Sequence, residues 1–246
     1  KAAVAVAEKS NDKVLMAKAY FNLGRAYTSN HNPTHALAEF SKSLKLREEV
    51  LSKNDVDIAR ALAGVASASP LDVARPMLER ARAICAVAFS QTSHQVGWAD
   101  MLLAWNSYDS KQYAAAKQKA DSSIMTCEAA IDSQLSMEEQ FRAKQTLVRA
   151  YNFRALANTA LLLLDLKKGG KVADKEAREA AIRADFAEAL KYAQGLNPKP
   201  NAREVDILTA HLLYEDALAL KHAYEVAMAA ESGSSPNDES GHPALL

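Results

Sequence analysis

Two histidines four positions apart, His31 and His35, have the spacing of metal ligands on a helix. Asn32-Pro33 lies between them and marks a turn, and no cysteine or third histidine stands nearby. They read as loop polarity and helix capping. Lys167-Lys168-Gly169-Gly170 lacks the later Gly-Lys-Ser/Thr of a phosphate loop, and no strand precedes it. Glu48-Glu49 and Glu138-Glu139 are adjacent pairs. On a helix, neighbours point to different sides, so neither pair supplies two facing carboxylates. No Ser-His-Asp, Cys-His or HExxH arrangement occurs. The sequence therefore assigns no catalytic residue, no cofactor-binding residue, no cofactor and no metal ligand, and the chain reads as a non-enzyme.

The elements behind these side chains are helices. Of the 246 residues, 49% are hydrophobic but only 7% aromatic, with 8 glycines and 7 prolines. Alanine supplies much of the apolar content, and it favours helices packed closely. No segment alternates with a period of two, so no sheet is predicted. Lys plus Arg equals Asp plus Glu, 30 each, leaving no global field to draw the chain to nucleic acid or an acidic membrane. No leucine run is long enough to span a bilayer. Two cysteines make no disulfide framework, and the one Asn-x-Thr site is spoiled by Pro33. Both points lean towards an intracellular location, the cytoplasm or an organelle interior.

Repeats set the fold. Tyr20, Leu23, Gly24 and Tyr27 are followed by a turn at Asn32-Pro33, then Ala36, Phe40 and Ser43. The register recurs as Leu62, Ala63, Ala66, Ala74, Leu78 and Ala81, and again as Leu103, Ala104, Ser107, Ala116, Ala120 and Ser123. Small residues let two helices touch, and large ones fill the space beside them. Periods of 38 and 42 residues describe stacked helix pairs. Cys85 and Cys127, 42 apart, fall at equivalent positions, too distant for a disulfide at an interhelix spacing on the order of 9 Å.

The run Tyr20 to Tyr27 with Ala36 and Phe40 resembles a tetratricopeptide repeat, and Phe40 to Ala59 resembles the longer-period repeats of kinesin light chains and related adaptors. The resemblance covers Lys1 to Ile131. It implies an all-α, right-handed solenoid of stacked antiparallel helix pairs and a protein-interaction scaffold. It also places Lys1 to Lys9 at the end of a preceding helix that leans on the helix of Tyr20. The expected organisation is one helical-repeat domain over 1–231, with clear repeats to about 131, degenerate repeats and capping helices over 135–231, and a mobile tail over 232–246.

Beyond 131 the pattern loosens. A long helix is expected from Ser136 to Asp165, ended by Gly169-Gly170, and a last helix from about Ala202 to Glu231. The helix between them registers equally on Ala180, Ala184 and Ala187 or on Ala189, Ala193 and Leu196. Pro76 is tolerable only near a helix start. Taking Leu23, Leu62, Leu103 and Leu156 as equivalent, the inner wall should carry Lys18, Asn22, Arg25, Arg60, Trp98, Met101, Trp105, Tyr151, Arg154 and Asn158. Arginines and aromatics among small residues have hot-spot composition. Either tryptophan could instead pack against a neighbouring helix. The expected partners are other proteins, as extended or helical segments mixing acidic residues with an apolar anchor, within a larger complex. The alternative is a purely structural subunit with an empty groove.

Overall fold

Short polar side chains open the helices. Asp12 Oδ1 accepts from the N–H groups of Val14 (2.8 Å) and Leu15 (3.1 Å), Asp55 from Asp57 (2.8 Å), and Asn32 from His35 (3.2 Å). Each satisfies a donor that the first turn leaves unpaired, and Pro33 sits where no donor is needed. The computed structural model describes residues 2–133, 135–167, 172, 174–196, 218–226 and 228. Its helices are α1 (Ala2–Ser10), α2 (Lys13–Ser29), α3 (Pro33–Val50), α4 (Val56–Ser67), α5 (Leu71–Ala88), α6 (His94–Asp109), α7 (Tyr113–Ile131), α8 (Met137–Lys167) and α9 (Lys175–Gln194). Residues 218–226 and 228 are also helical, and no strand occurs among the described residues. Gly169-Gly170, most of the last expected helix and the tail over 232–246 lie outside them. His31 and His35 belong to the α2–α3 turn: His31 has φ 52°, and the His35 ring lies against Tyr27 at 5.1 Å.

Helices pair in chain order, α2 with α3, α4 with α5, α6 with α7 and α8 with α9, and the pairs stack through α3–α4, α5–α6 and α7–α8. α1 rests on α2 through buried Ala7, and Tyr20 Oη donates to Glu8 Oε1 at 2.6 Å. Ala36, Ala74 and Ala116 are wholly buried at equivalent places. Phe40 lies between Gly24 and Gly64; a Cβ at either would come within 2.7 Å of its ring. Ser43 Oγ donates to the Ala17 carbonyl (2.8 Å) and Ser123 Oγ to the Gly97 carbonyl (2.7 Å), while Ala81 holds the same position between them without a hydroxyl. Pro76 is the sixth residue of α5 and forgoes one bond, to the Asp72 carbonyl.

The fourth pair resolves the open register. Ala189, Ala193 and Leu196 are buried, whereas Ala180, Ala184 and Ala187 are exposed. The buried set of α7, Ala116, Ala120, Ser123, Cys127 and Ala130, recurs 66 positions later as Ile182, Phe186, Ala189, Ala193 and Leu196. Lys119 thereby matches Asp185. The fully buried Asp100 of α6 accepts from Lys119 Nζ (3.1 Å), Arg82 Nε (2.7 Å) and Ser122 Oγ (2.9 Å). Arg154 of α8 donates to Asp185 (2.5 Å) and Asp121 (3.1 Å). The two junctions hold the same ion pair with its charges exchanged. Burial pushes the Asp185 carboxyl up, while Arg154 pulls it down.

Candidate functional site

Curvature identifies the inner side. α2 touches α4 and α6 touches α8, whereas no two of α3, α5, α7 and α9 pack on each other comparably. The closely spaced layer of a curved stack is its inner layer, so α2, α4, α6 and α8 form the inner wall.

α6 carries the wall's most unusual surface. Between His94 and Ser107 every residue is buried except Gln95, Trp98, Leu102 and Trp105. With the exposed Asp109 these follow a 3-4-3-4 spacing, which is one stripe of a helix. The least buried arc of α6 is thus Gln-Trp-Leu-Trp-Asp, its first four residues half-buried and Asp109 exposed. Each tryptophan packs one edge inward. Trp98 lies against the clusters of Ile58 and of Leu147, and Trp105 against Ala66, Leu78 and Leu103. α4 and α6 approach less closely than α6 and α8, and these two rings occupy the joint between them.

Charge flanks the stripe. Arg60 on α4 is exposed and bonds Asp57 at 2.8 Å, one turn away on its own helix. Arg142 on α8 likewise bonds Glu138 at 2.6 Å. Burial holds His94, at the start of α6, below the ordinary imidazole range; Glu139 acts against this, and Arg142 and Arg60 add to it. Both arginines therefore bear on the N-terminal end of the stripe, where the helix dipole is also positive. Asp109 closes the other end.

The remaining inner-wall expectations divide. Lys18, Asn22 and Arg25 are exposed on α2, and Asn158 is half-buried on α8. Three residues are corrected. Met101 is 2% exposed and belongs to the core beside Leu147 and Val148. Tyr151 is 7% exposed; its hydroxyl donates to Glu128 at 2.6 Å and its ring stacks on Tyr192. Arg154 points between α7 and α9 towards Asp121 and Asp185. Tyr151 and Arg154 both turn away from solvent towards α7 and α9, Tyr151 to Glu128 and Tyr192 and Arg154 to Asp121 and Asp185. On α8 the outward stripe is instead Arg142, Gln145, Arg149, Phe153, Leu156 and Ala160, none of them buried. Phe153 meets Tyr108 of α6 at 6.3 Å and continues the aromatic surface. The 3-4 spacing of that stripe was the sequence signal for it.

Among the described residues, no group of three or more His, Cys, Asp or Glu is placed to hold a metal ion, and no helix is long and apolar enough to cross a membrane. Cys85 and Cys127 are free, buried thiols.

No protein-family model matches the chain, and no curated protein matches it. Among solved structures it is similar to a Podosopora anserina protein with nearly identical TPR-like repeats, a candidate kinesin light chain. The two are 14% identical with a TM-score of 0.47, over 89% of this chain and 98% of that one. A single-substitution form of that protein gives 15% and 0.45, over 88% and 96%.

Proposed function

We propose that this chain is a non-catalytic interaction scaffold that receives an extended or helical partner segment along the inner wall of α4, α6 and α8. The supporting observation is the half-buried arc of α6. Three of its five residues are the apolar Trp98, Leu102 and Trp105, each packing part of its surface inward and leaving the rest accessible. The flanking charges orient the partner: its acidic residues lie towards Arg60 and the start of α6, and its bulky apolar anchor lies over Leu102 and Trp105. Lys18, Asn22 and Arg25 extend the basic side along α2.

A display library of acidic peptides with one large apolar residue tests this, read by the emission of the chain's two tryptophans. Trp105→Leu keeps aliphatic packing against Leu78 and Leu103 and should weaken a captured peptide by about 2 kcal/mol, roughly 30-fold. Arg60→Ala should weaken it less, with a loss that shrinks at high salt. A library that yields no saturable binder refutes the reading.

The structural-subunit alternative has one observation in its favour. Val87 on α5 and Met125 on α7 are 65% and 68% exposed, on the outer layer. Under that reading Met125→Asp disrupts assembly with other subunits and Trp105→Leu does not.

A further inference from the structure

Four helix ends meet at one edge of the stack. α5 ends at Ala88, α6 begins at His94, α7 ends at Ile131 and α8 begins at Met137. A cavity of about 330 Å³ lies among them, with Phe89, His94, Ala129, Ala130 and Glu139 on its walls. That volume is at the small end of ligand pockets and suits a single-ring ligand. We propose that this cavity binds an uncharged hydroxyl carried on a compact apolar body, the chemistry of a phenol, with the hydroxyl on the His94 imidazole. The site stands independently of the reading of the inner wall, which it adjoins at Gln95, the first residue of the α6 arc.

The unmet polar group is His94. It is 6% exposed and lines the cavity, and no described residue hydrogen-bonds its ring. Buried polar side chains ordinarily have a partner. Burial also favours the neutral ring. A neutral imidazole presents one N–H and one acceptor nitrogen, and a hydroxyl answers either, since it both donates and accepts. Charge decides against an ionic ligand of either sign. Glu139 Oε2 is held on the wall by the Ser136 N–H (3.1 Å) and Oγ (2.7 Å), so an anion meets a fixed carboxylate. Arg142 and Arg60 bear on His94 from α8 and α4, so a cation meets two guanidinium groups. The carbonyl ends of α5 and α7 and the N–H ends of α6 and α8 converge here, and their dipoles oppose one another. An uncharged ligand brings no charge to desolvate. Phe89 and the two alanines receive its apolar body.

The test is titration of the full chain with p-cresol, followed by the ring C–H resonances of His94. Binding should saturate and those resonances should move. Toluene, which lacks the hydroxyl, should bind about tenfold more weakly, and p-toluate and p-methylbenzylamine more weakly than p-cresol too. His94→Phe keeps a ring in place without its nitrogens; it should weaken p-cresol about tenfold and leave toluene unchanged. Ala129→Phe puts a ring on the exposed cavity wall and should abolish binding of both, with the helical circular dichroism intact. Two sources offer this chemistry, a free phenol and a partner's tyrosine. A tyrosine peptide that competes with p-cresol identifies the partner, and one that does not identifies the free molecule; either result keeps the site. No saturable p-cresol binding overturns the proposal. So does toluene or either ion binding as tightly as p-cresol, or an unchanged p-cresol affinity in Ala129→Phe.

Discussion

Gly97 seats the helix that presents both tryptophans, and Gly97→Ala tests that seat. Gly97 is the fourth residue of α6, and its carbonyl accepts from Ser123 Oγ of α7 at 2.7 Å. A Cβ at 97 would lie far inside van der Waals contact of Cys127 Sγ and 3.2 Å from the Ser123 carbonyl oxygen. Two effects compete. Alanine is favoured over glycine within a helix by about 1 kcal/mol. Overpacking costs about 1–3 kcal/mol, and more where nothing yields. Cys127 is wholly buried, so its sulfur has no empty space to enter, and the Ser123 carbonyl moves only with the α7 backbone. The clash wins, and the net loss should be about 1–2 kcal/mol, or roughly 2–8 °C in Tm for a chain of this size.

The double mutant is the sharper measurement. Cys127→Ala alone should lower stability by about 1 kcal/mol, because it removes buried volume. In Gly97→Ala/Cys127→Ala the new methyl occupies the space of the lost sulfur. The pair should be no less stable than Cys127→Ala, a coupling of about 1–2 kcal/mol in urea midpoints at constant m. Trp98 emission should shift in Gly97→Ala and return in the pair. Additive losses, or a stabilised Gly97→Ala, would refute a close α6–α7 approach at this point.

Burial lifts the Cys85 thiol to about 11 and the Cys127 thiol to about 12, so neither should react with Ellman's reagent at pH 8 until urea unfolds the chain. Rapid reaction of the native protein would contradict this. Lys111 has φ 60° in the α6–α7 turn, and Lys111→Gly should raise stability by about 1 kcal/mol in a thermal melt. Because the folded pKa of His94 is depressed, the unfolded chain binds the proton first. Stability should therefore fall as pH drops below about 6.5, and His94→Gln should remove part of that fall while Glu139, Arg142 and Arg60 keep their charges.

The first three helix pairs were legible because packing leaves a signature that substitution barely alters. Ala36, Ala74 and Ala116 are small since a helix lies against each, and their spacing gives the stack directly. The fourth pair was ambiguous for a reason of the same kind. Its junction keeps an ion pair but exchanges the signs, Asp100–Lys119 becoming Arg154–Asp185, so residue types gave no match although geometry did. On α8 the expected wall fell on Tyr151 and Arg154, each two positions before the outward residues Phe153 and Leu156. The tryptophans were found because α6 lies within the clear repeats. Met101 was misplaced because on α6 that position faces α7 and α8 and not solvent.

Gly64 and Trp105 show why the wall opens where it does. They stand 41 positions apart, as do Leu62 and Leu103, so they occupy the same place in successive repeats. Gly64 has no side chain, and a Cβ there would lie 2.7 Å from Phe40 of α3 and 3.1 Å from Phe21 of α2. Trp105 puts the largest side chain at that place, and α6 does not close on α4 in the same way. At the place where α4 carries Gly64 beside Phe40, α6 carries Trp105 packed against the cluster of Ala66, Leu78 and Leu103. Both indoles are half-buried, with one edge packed inward. Any change that narrows Trp105 should draw α6 towards α4 as well as removing the anchor.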